Sequence, residues 1–220
     1  MSVYDFIDFI GYLCVAAILL PIGFGSNYWR ELSDREQKLV LFLVALLLLE
    51  IISIILRFNL VRNHFLYYFK TWSVLWISAV YFRSIDKLRR WSTIIAGLLA
   101  VSVLVEVYVW VGFNHINTIT RTLAWLLLSL CGFAGLIQLL NQPSEKSLRQ
   151  QPAFYYYSGF FTIGFFSANT SLFSNYFIET SLDLYYFFDT LKGIMSAVGY
   201  GVFTWGFFQH SRLFRSQKAL

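Results

Sequence analysis

Apolar residues run along this chain in long unbroken stretches, and polar residues fall between them in short clusters. The stretches lie at about 4–25, 38–57, 65–84, 92–113, 119–141, 153–174 and 184–208. Each is near the twenty or so residues that an α-helix needs to cross a hydrocarbon layer about 30 Å thick at about 1.5 Å per residue. The pattern predicts an all-α fold, a polytopic membrane protein built as a seven-transmembrane-helix bundle. The clusters "GSNYWRELSDREQK", "RFNLVRNH", "RSIDKLRR", "GFNHIN", "NQPSEKSLRQQP" and "NYFIETSLD" read as its connections. Pro143 and Pro152 bracket the fifth, where a missing N–H does least harm.

Composition leads the same way. The 220 residues are 58% hydrophobic, 20% aromatic and only 13% charged, whereas soluble domains average about 45–50% apolar and about 25% charged. No polar stretch is long enough for a second unit, so residues 1–220 read as a single membrane domain without a catalytic head. The opening "MSVYDFIDF" carries acids where a cleavable signal would be positive, so the first apolar stretch is expected to stay as a helix. Cys14 and Cys131 fall mid-stretch and read as packing residues, with a disulfide or metal pair as the alternative.

The net charge of +5 is spread over short connections rather than gathered in a patch. That placement argues for topology and against nucleic acid. Twelve of the seventeen Lys and Arg fall on one side: Arg30, Arg35, Lys38, Arg83, Lys87, Arg89, Arg90, Lys146, Arg149, Arg212, Arg215 and Lys218. Arg57, Arg62 and Arg121 fall on the other, and Lys70 and Lys192 lie inside stretches. Positive residues favour the cytoplasm, so the N-terminus is expected outside and the C-terminus inside. The acids Asp5, Asp8, Glu179 and Asp183 all fall on the expected outer side.

With that orientation, six charged residues fall in the outer half of the membrane: Glu50, Lys70, Glu106, Arg121, Asp189 and Lys192. A charge at the bilayer centre costs about 2.5–3.5 kcal/mol on insertion scales, so such residues face a protein interior, a partner or water. Three acids and three bases suggest a charge-balanced polar cavity reached from outside, ringed by Tyr67, Tyr68, Asn169, Ser171, Tyr185 and Tyr186. It would take a small polar or zwitterionic ligand. The alternative is a set of interhelical ion pairs that only fix helix register.

The glycines Gly193, Gly199, Gly201 and Gly206 make a small-residue surface for close helix packing or for a partner. The aromatic runs "HFLYYF", "FYYYSGFF" and "LYYFF" read as anchors at the membrane boundary before they read as ligand stacks. His64, His115 and His210 lie near segment ends on different sides, so no metal or haem centre is expected, and no cofactor. No hydrolase or phosphate-loop motif is present, which argues against an enzyme. A lysine in the seventh helix suggests a retinal-binding protein as a minor alternative, but Lys70 stands where such a site needs a counter-ion acid. A small-solute transporter is the main alternative, although neither a repeat nor paired helix breaks are visible. A structural subunit of a membrane complex is a further one.

Two stretches carry a resemblance. "NHFLYYFKTWSVLWISAVYFR", Asn63 to Arg83, and "PAFYYYSGFF", with Pro152, Phe154, Tyr155 and Gly159, resemble motifs of small uncharacterised bacterial seven-helix membrane proteins often encoded beside two-component sensor kinases. Lys70 and Val74 depart from that pattern, where an aromatic and an acid are usual. The resemblance implies a sensory or regulatory role in the bacterial inner (cytoplasmic) membrane. Lipid and a signalling or membrane-complex protein would be its partners.

Overall fold

The computed structural model describes residues 3–59, 61, 63–111, 118–142 and 147–218. Arg62, His115, Pro143 and Lys146 lie outside these residues, as do the side chains of Asp5, Asp8, Lys87, Arg89, Arg215 and Lys218. The described residues are all helical or in connections, with no strand among them.

Seven α-helices account for the apolar stretches: α1 (Val3–Asn27), α2 (Asp34–Phe58), α3 (Phe65–Tyr81), α4 (Asp86–Val105), α5 (Thr118–Asn141), α6 (Pro152–Thr180) and α7 (Leu182–Lys218). Local chemistry sets several boundaries. Ser33 caps α2 with a reciprocal pair: its Oγ accepts from the Glu36 N–H at 3.4 Å, and Glu36 Oε2 accepts from the Ser33 N–H at 2.9 Å. Pro152 starts α6 at a position that needs no N–H donor. At the far end of α4 the backbone loosens into a π-helical stretch, Glu106–Val111.

Among the described residues, four segments are long and apolar enough to cross a membrane by themselves: Phe9–Asn27, Asp34–Phe58, Arg90–Tyr108 and Thr118–Asn141. They belong to α1, α2, α4 and α5. The remaining three helices differ for separate reasons. α3 is short at 17 residues, α6 is rich in Ser, Thr and Tyr, and α7 carries charged residues.

The connection expected over "NYFIETSLD" is mostly helix, because α6 continues to Thr180 and only Ser181 separates it from α7. No Gly or Pro interrupts that stretch, and Phe177 stacks on Phe188 across the bend with ring centres 4.7 Å apart. α7 also runs past the expected 208, and its 37 residues extend roughly 55 Å.

α1, α2, α3, α5, α6 and α7 pack side to side in a ring, closed where α7 meets α1. α4 sits outside the ring in the groove between α3 and α5. The α5–α6 contact is the closest. A Cβ built at Gly132 would lie 2.7 Å from the Phe161 nitrogen, and one at Gly164 would lie 2.7 Å from the Ser129 nitrogen. Such spacing is available only to glycine.

At the end of the bundle that holds the α1–α2, α3–α4 and α5–α6 connections, the ring is filled by aromatic side chains. Tyr81, Phe82, Tyr156, Phe160, Phe203 and Phe207 are almost wholly buried. Phe160 stands at the centre, 4.8 Å from Tyr81, 5.3 Å from Phe82 and 5.1 Å from Phe203 between ring centres. The run "FYYYSGFF" therefore supplies core rather than boundary anchors at Tyr156, Tyr157 and Phe160. The ring of helices offers these side chains more contact area than a lipid boundary would. Trp91 and Trp205 stay exposed on the outside.

Below this core a polar tie joins α7 to the start of α2. His210 places Nδ1 3.0 Å from Glu36 Oε1 and Nε2 3.2 Å from the Glu31 carbonyl. Both partners are acceptors, so both ring nitrogens are satisfied only when the imidazole is protonated. The hydrogen bond to Glu36 raises the pKa of His210 above its ordinary value.

Candidate functional site

At the opposite end, which holds the α2–α3, α4–α5 and α6–α7 connections, the interior of the ring is polar and hollow. One cavity of about 100 Å³ is lined from five helices: Glu50 of α2, Tyr67 and Lys70 of α3, Arg121 of α5, Ser171 and Ser174 of α6, and Tyr185, Asp189 and Lys192 of α7. A second, of about 170 Å³, lies between α1 and α7 beside Ile10 and Cys14. The two share Glu50, Asp189, Lys192, Ser196 and Tyr200 as a common wall.

Helical spacing explains the lining. On α7, residues 185, 189, 192, 196 and 200 recur at intervals of three and four and make one stripe. On α6, residues 163, 167, 170, 171 and 174 do the same. The hydroxyls on α6 are also satisfied within the helix: Ser174 Oγ donates to the Thr170 carbonyl at 2.6 Å, and Thr170 Oγ1 to the Phe166 carbonyl at 3.0 Å. A hydroxyl that donates backward along its helix keeps its lone pairs for the cavity.

The charges are arranged in two pairs and a remainder. Lys70 Nζ lies 2.8 Å from Glu50 Oε1, joining α3 to α2. Lys192 pairs with Asp189 one turn away on the same helix. Among the described residues Arg121 makes no direct ion pair, though Asp189 and Glu106 act on it through space; its Nη2 donates to Ser174 Oγ at 3.3 Å, and its guanidinium lies 4.8 Å from the centre of the Tyr67 ring. Lys70 shares that ring from 5.4 Å, so the face of Tyr67 serves two cations. Arg121 is only 9% exposed, and its buried Nε has no hydrogen-bond partner.

Glu106 does not line the cavity, although its charge acts on Arg121 through space. It sits on α4, outside the ring, buried against α5, where it accepts from the Thr120 hydroxyl and, at 3.4 Å, from the Thr120 N–H. The expectation of a balanced set of six is corrected on this point: three cations and two carboxylates line the cavity, leaving one positive charge in excess. Of the expected polar ring, Tyr67, Ser171 and Tyr185 line the cavity, while Tyr68, Asn169 and Tyr186 do not. Asn169 instead projects outward and donates to the Phe165 carbonyl at 2.8 Å.

The small residues of α7 divide likewise. A Cβ at Gly193 would lie 3.2 Å from Ile10 and 3.3 Å from Cys14 Sγ, and one at Gly199 would collide with Ile163. Gly201, expected on the same packing surface, faces open space, and Gly206 packs on Tyr156. Cys14 and Cys131 are both free thiols, and Cys14 donates to the Gly193 carbonyl at 2.8 Å.

No protein-family model, curated protein or solved structure matches this chain.

Proposed function

We propose that the chain is a multi-pass protein of the bacterial inner membrane in which all seven helices cross, N-terminus out and C-terminus in. It would act as a sensor or receptor-like regulatory module rather than an enzyme. The three helices that are not apolar throughout carry lipid-facing stripes of their own: Phe69 and Trp72 on α3, Leu172 and Phe173 on α6, and Phe187 and Val198 on α7 are all exposed. Exposed apolar surface on every side of a helical ring suits lipid and not water. The twelve-to-three distribution of Lys and Arg supports the orientation.

The observation that carries the functional reading is the division of the ring interior. A polar cavity lies at the end assigned to the outside, and closely packed aromatic rings fill the end assigned to the cytoplasm. A ligand would enter from outside and meet no path through. This favours a receptor over a small-solute transporter, which needs an exit. The segments assigned to the cytoplasm are short and basic, so the signal would pass to a partner protein through the α3–α4 connection and the C-terminal end of α7.

Two measurements test the proposal. In a background lacking Cys14 and Cys131, a membrane-impermeant thiol reagent on whole cells should label Asn59→Cys and spare Ser147→Cys; the opposite pattern overturns the orientation. Proteoliposomes should bind a small polar solute without accumulating it. Uptake that depends on the protein would replace the receptor with a transporter.

A further inference from the structure

We infer that the outer cavity is an anion site, specific for a small monovalent oxyanion such as a short carboxylate or nitrate, with Arg121 as its anchor. The inference rests on the proposed ligand-binding role of the same cavity and adds the class of ligand.

Charge comes first. Glu50 and Asp189 each pair with a lysine, and although Asp189 and Glu106 act on Arg121 through space, neither makes a direct ion pair with it. Burying a guanidinium without a hydrogen-bonded carboxylate is costly in a low-dielectric interior. Ser174 and the Tyr67 face offset part of that cost but supply no negative charge. A small oxyanion would give the guanidinium the direct acceptor that it lacks, which a cation could not.

Geometry comes second. A guanidinium presents a planar fork of N–H donors that matches two oxygens of a carboxylate or nitrate. Here the Nε–H is buried and unpartnered, and Nη2 is held by a serine that also lines the cavity. The Tyr67 ring under the guanidinium fixes its plane. Lys192 stands across the cavity on α7, and hydroxyls of Ser171, Ser196 and Tyr185 complete the wall. Size comes third: about 100 Å³ is about three waters' worth of space, which suits an anion as small as acetate or nitrate.

The test is calorimetric titration of the full-length protein in nanodiscs with sodium acetate and, separately, sodium nitrate. Methylammonium and glycine betaine serve as cationic and zwitterionic probes, and bulky gluconate holds the ionic strength constant. Saturable binding of acetate or nitrate, weakened about tenfold or more in Arg121→Gln and partly kept in Arg121→Lys, is the expected result. The stronger of the two anions distinguishes a carboxylate site from an inorganic one. Should Arg121→Gln fail to fold, Ser174→Ala, which leaves the charge but frees Nη2, should weaken the same binding several-fold. Betaine or methylammonium binding without anion binding would overturn the anion site and leave the ligand cavity standing. Binding of none of the probes would overturn both, and anion binding unchanged in a folded Arg121→Gln or Ser174→Ala protein would overturn the role of Arg121.

Discussion

Replacing Gly164 by alanine adds one methyl group where α6 lies directly against the backbone of α5. The new Cβ would stand 2.7 Å from the Ser129 nitrogen, 2.9 Å from the Trp125 carbonyl oxygen and 3.0 Å from the Ser129 Cα. All three are backbone atoms, so no side chain can rotate away. Carbon needs about 3.5–4.0 Å, and a gap of about 0.5–1 Å forfeits a quarter to a half of each contact along the seam. Overpacking of this kind costs about 1–3 kcal/mol, partly offset by the better helix propensity of alanine, about 1 kcal/mol. Gly201→Ala is the matched control, because its Cβ meets nothing within 4 Å, and it should gain that propensity outright. Unfolding in a graded mixture of mild detergent and SDS should therefore place Gly164→Ala below wild type and Gly201→Ala at or above it, about 1–3 kcal/mol apart. Arg121 and Ser174 face each other across the same seam at 3.3 Å, so ligand binding should weaken along with stability. Equal stability of the two variants would refute the packing argument.

Two further outcomes are expected. The pKa of His210 is raised by its Glu36 partner, so the tie should contribute stability fully below the ordinary histidine value of about 6.5 and lose it as pH rises through the higher folded value. Melting temperature should fall across that window in wild type and stay flatter in His210→Gln, and parallel curves would show that the tie is idle. For Lys70 and Glu50, the double variant Lys70→Met/Glu50→Gln should be less destabilised than the sum of the single variants, with a coupling of about 1 kcal/mol. Additivity within about 0.3 kcal/mol would mean that the pair contributes nothing.

Hydropathy located the helices because lipid and a buried core both select apolar residues, and each apolar stretch has one α-helix as its main part, with 65–84 ending in a 3-10 turn and 92–111 in a π-helical segment. Ends were harder to read. α6 runs on to Thr180 because tertiary stacking of Phe177 on Phe188 extends a sequence that carries no stop signal. Five of the six charged residues could be brought together by depth alone, since depth follows from counting residues from the connections. Glu106 could not be separated from them in this way. It shares their depth, but its exclusion depends on α4 packing outside the ring, and helix order is absent from a hydropathy pattern. Ser167, Ser174, Ser196 and Tyr200 were open to discovery: stepping three and four residues along α7 from Asp189 and Lys192 reaches Ser196 and Tyr200.

The shortfall in apolarity and the cavity are one physical fact seen twice. α6 and α7 are not apolar throughout because each devotes one stripe to the cavity, with Ser167, Ser171 and Ser174 on the first and Asp189 and Lys192 on the second. Their outward faces carry exposed apolar residues, Leu172 and Phe173 on α6 and Phe187 and Val198 on α7. A bundle that needed ion pairs only to hold its register would do best with equal numbers of each sign in direct contact and no free volume, because an unpaired buried charge costs several kcal/mol. This bundle keeps two direct pairs and an arginine whose buried Nε–H has no acceptor beside a polar cavity. That donor, placed where helix register alone would not require it, is the feature on which the proposed anion site rests.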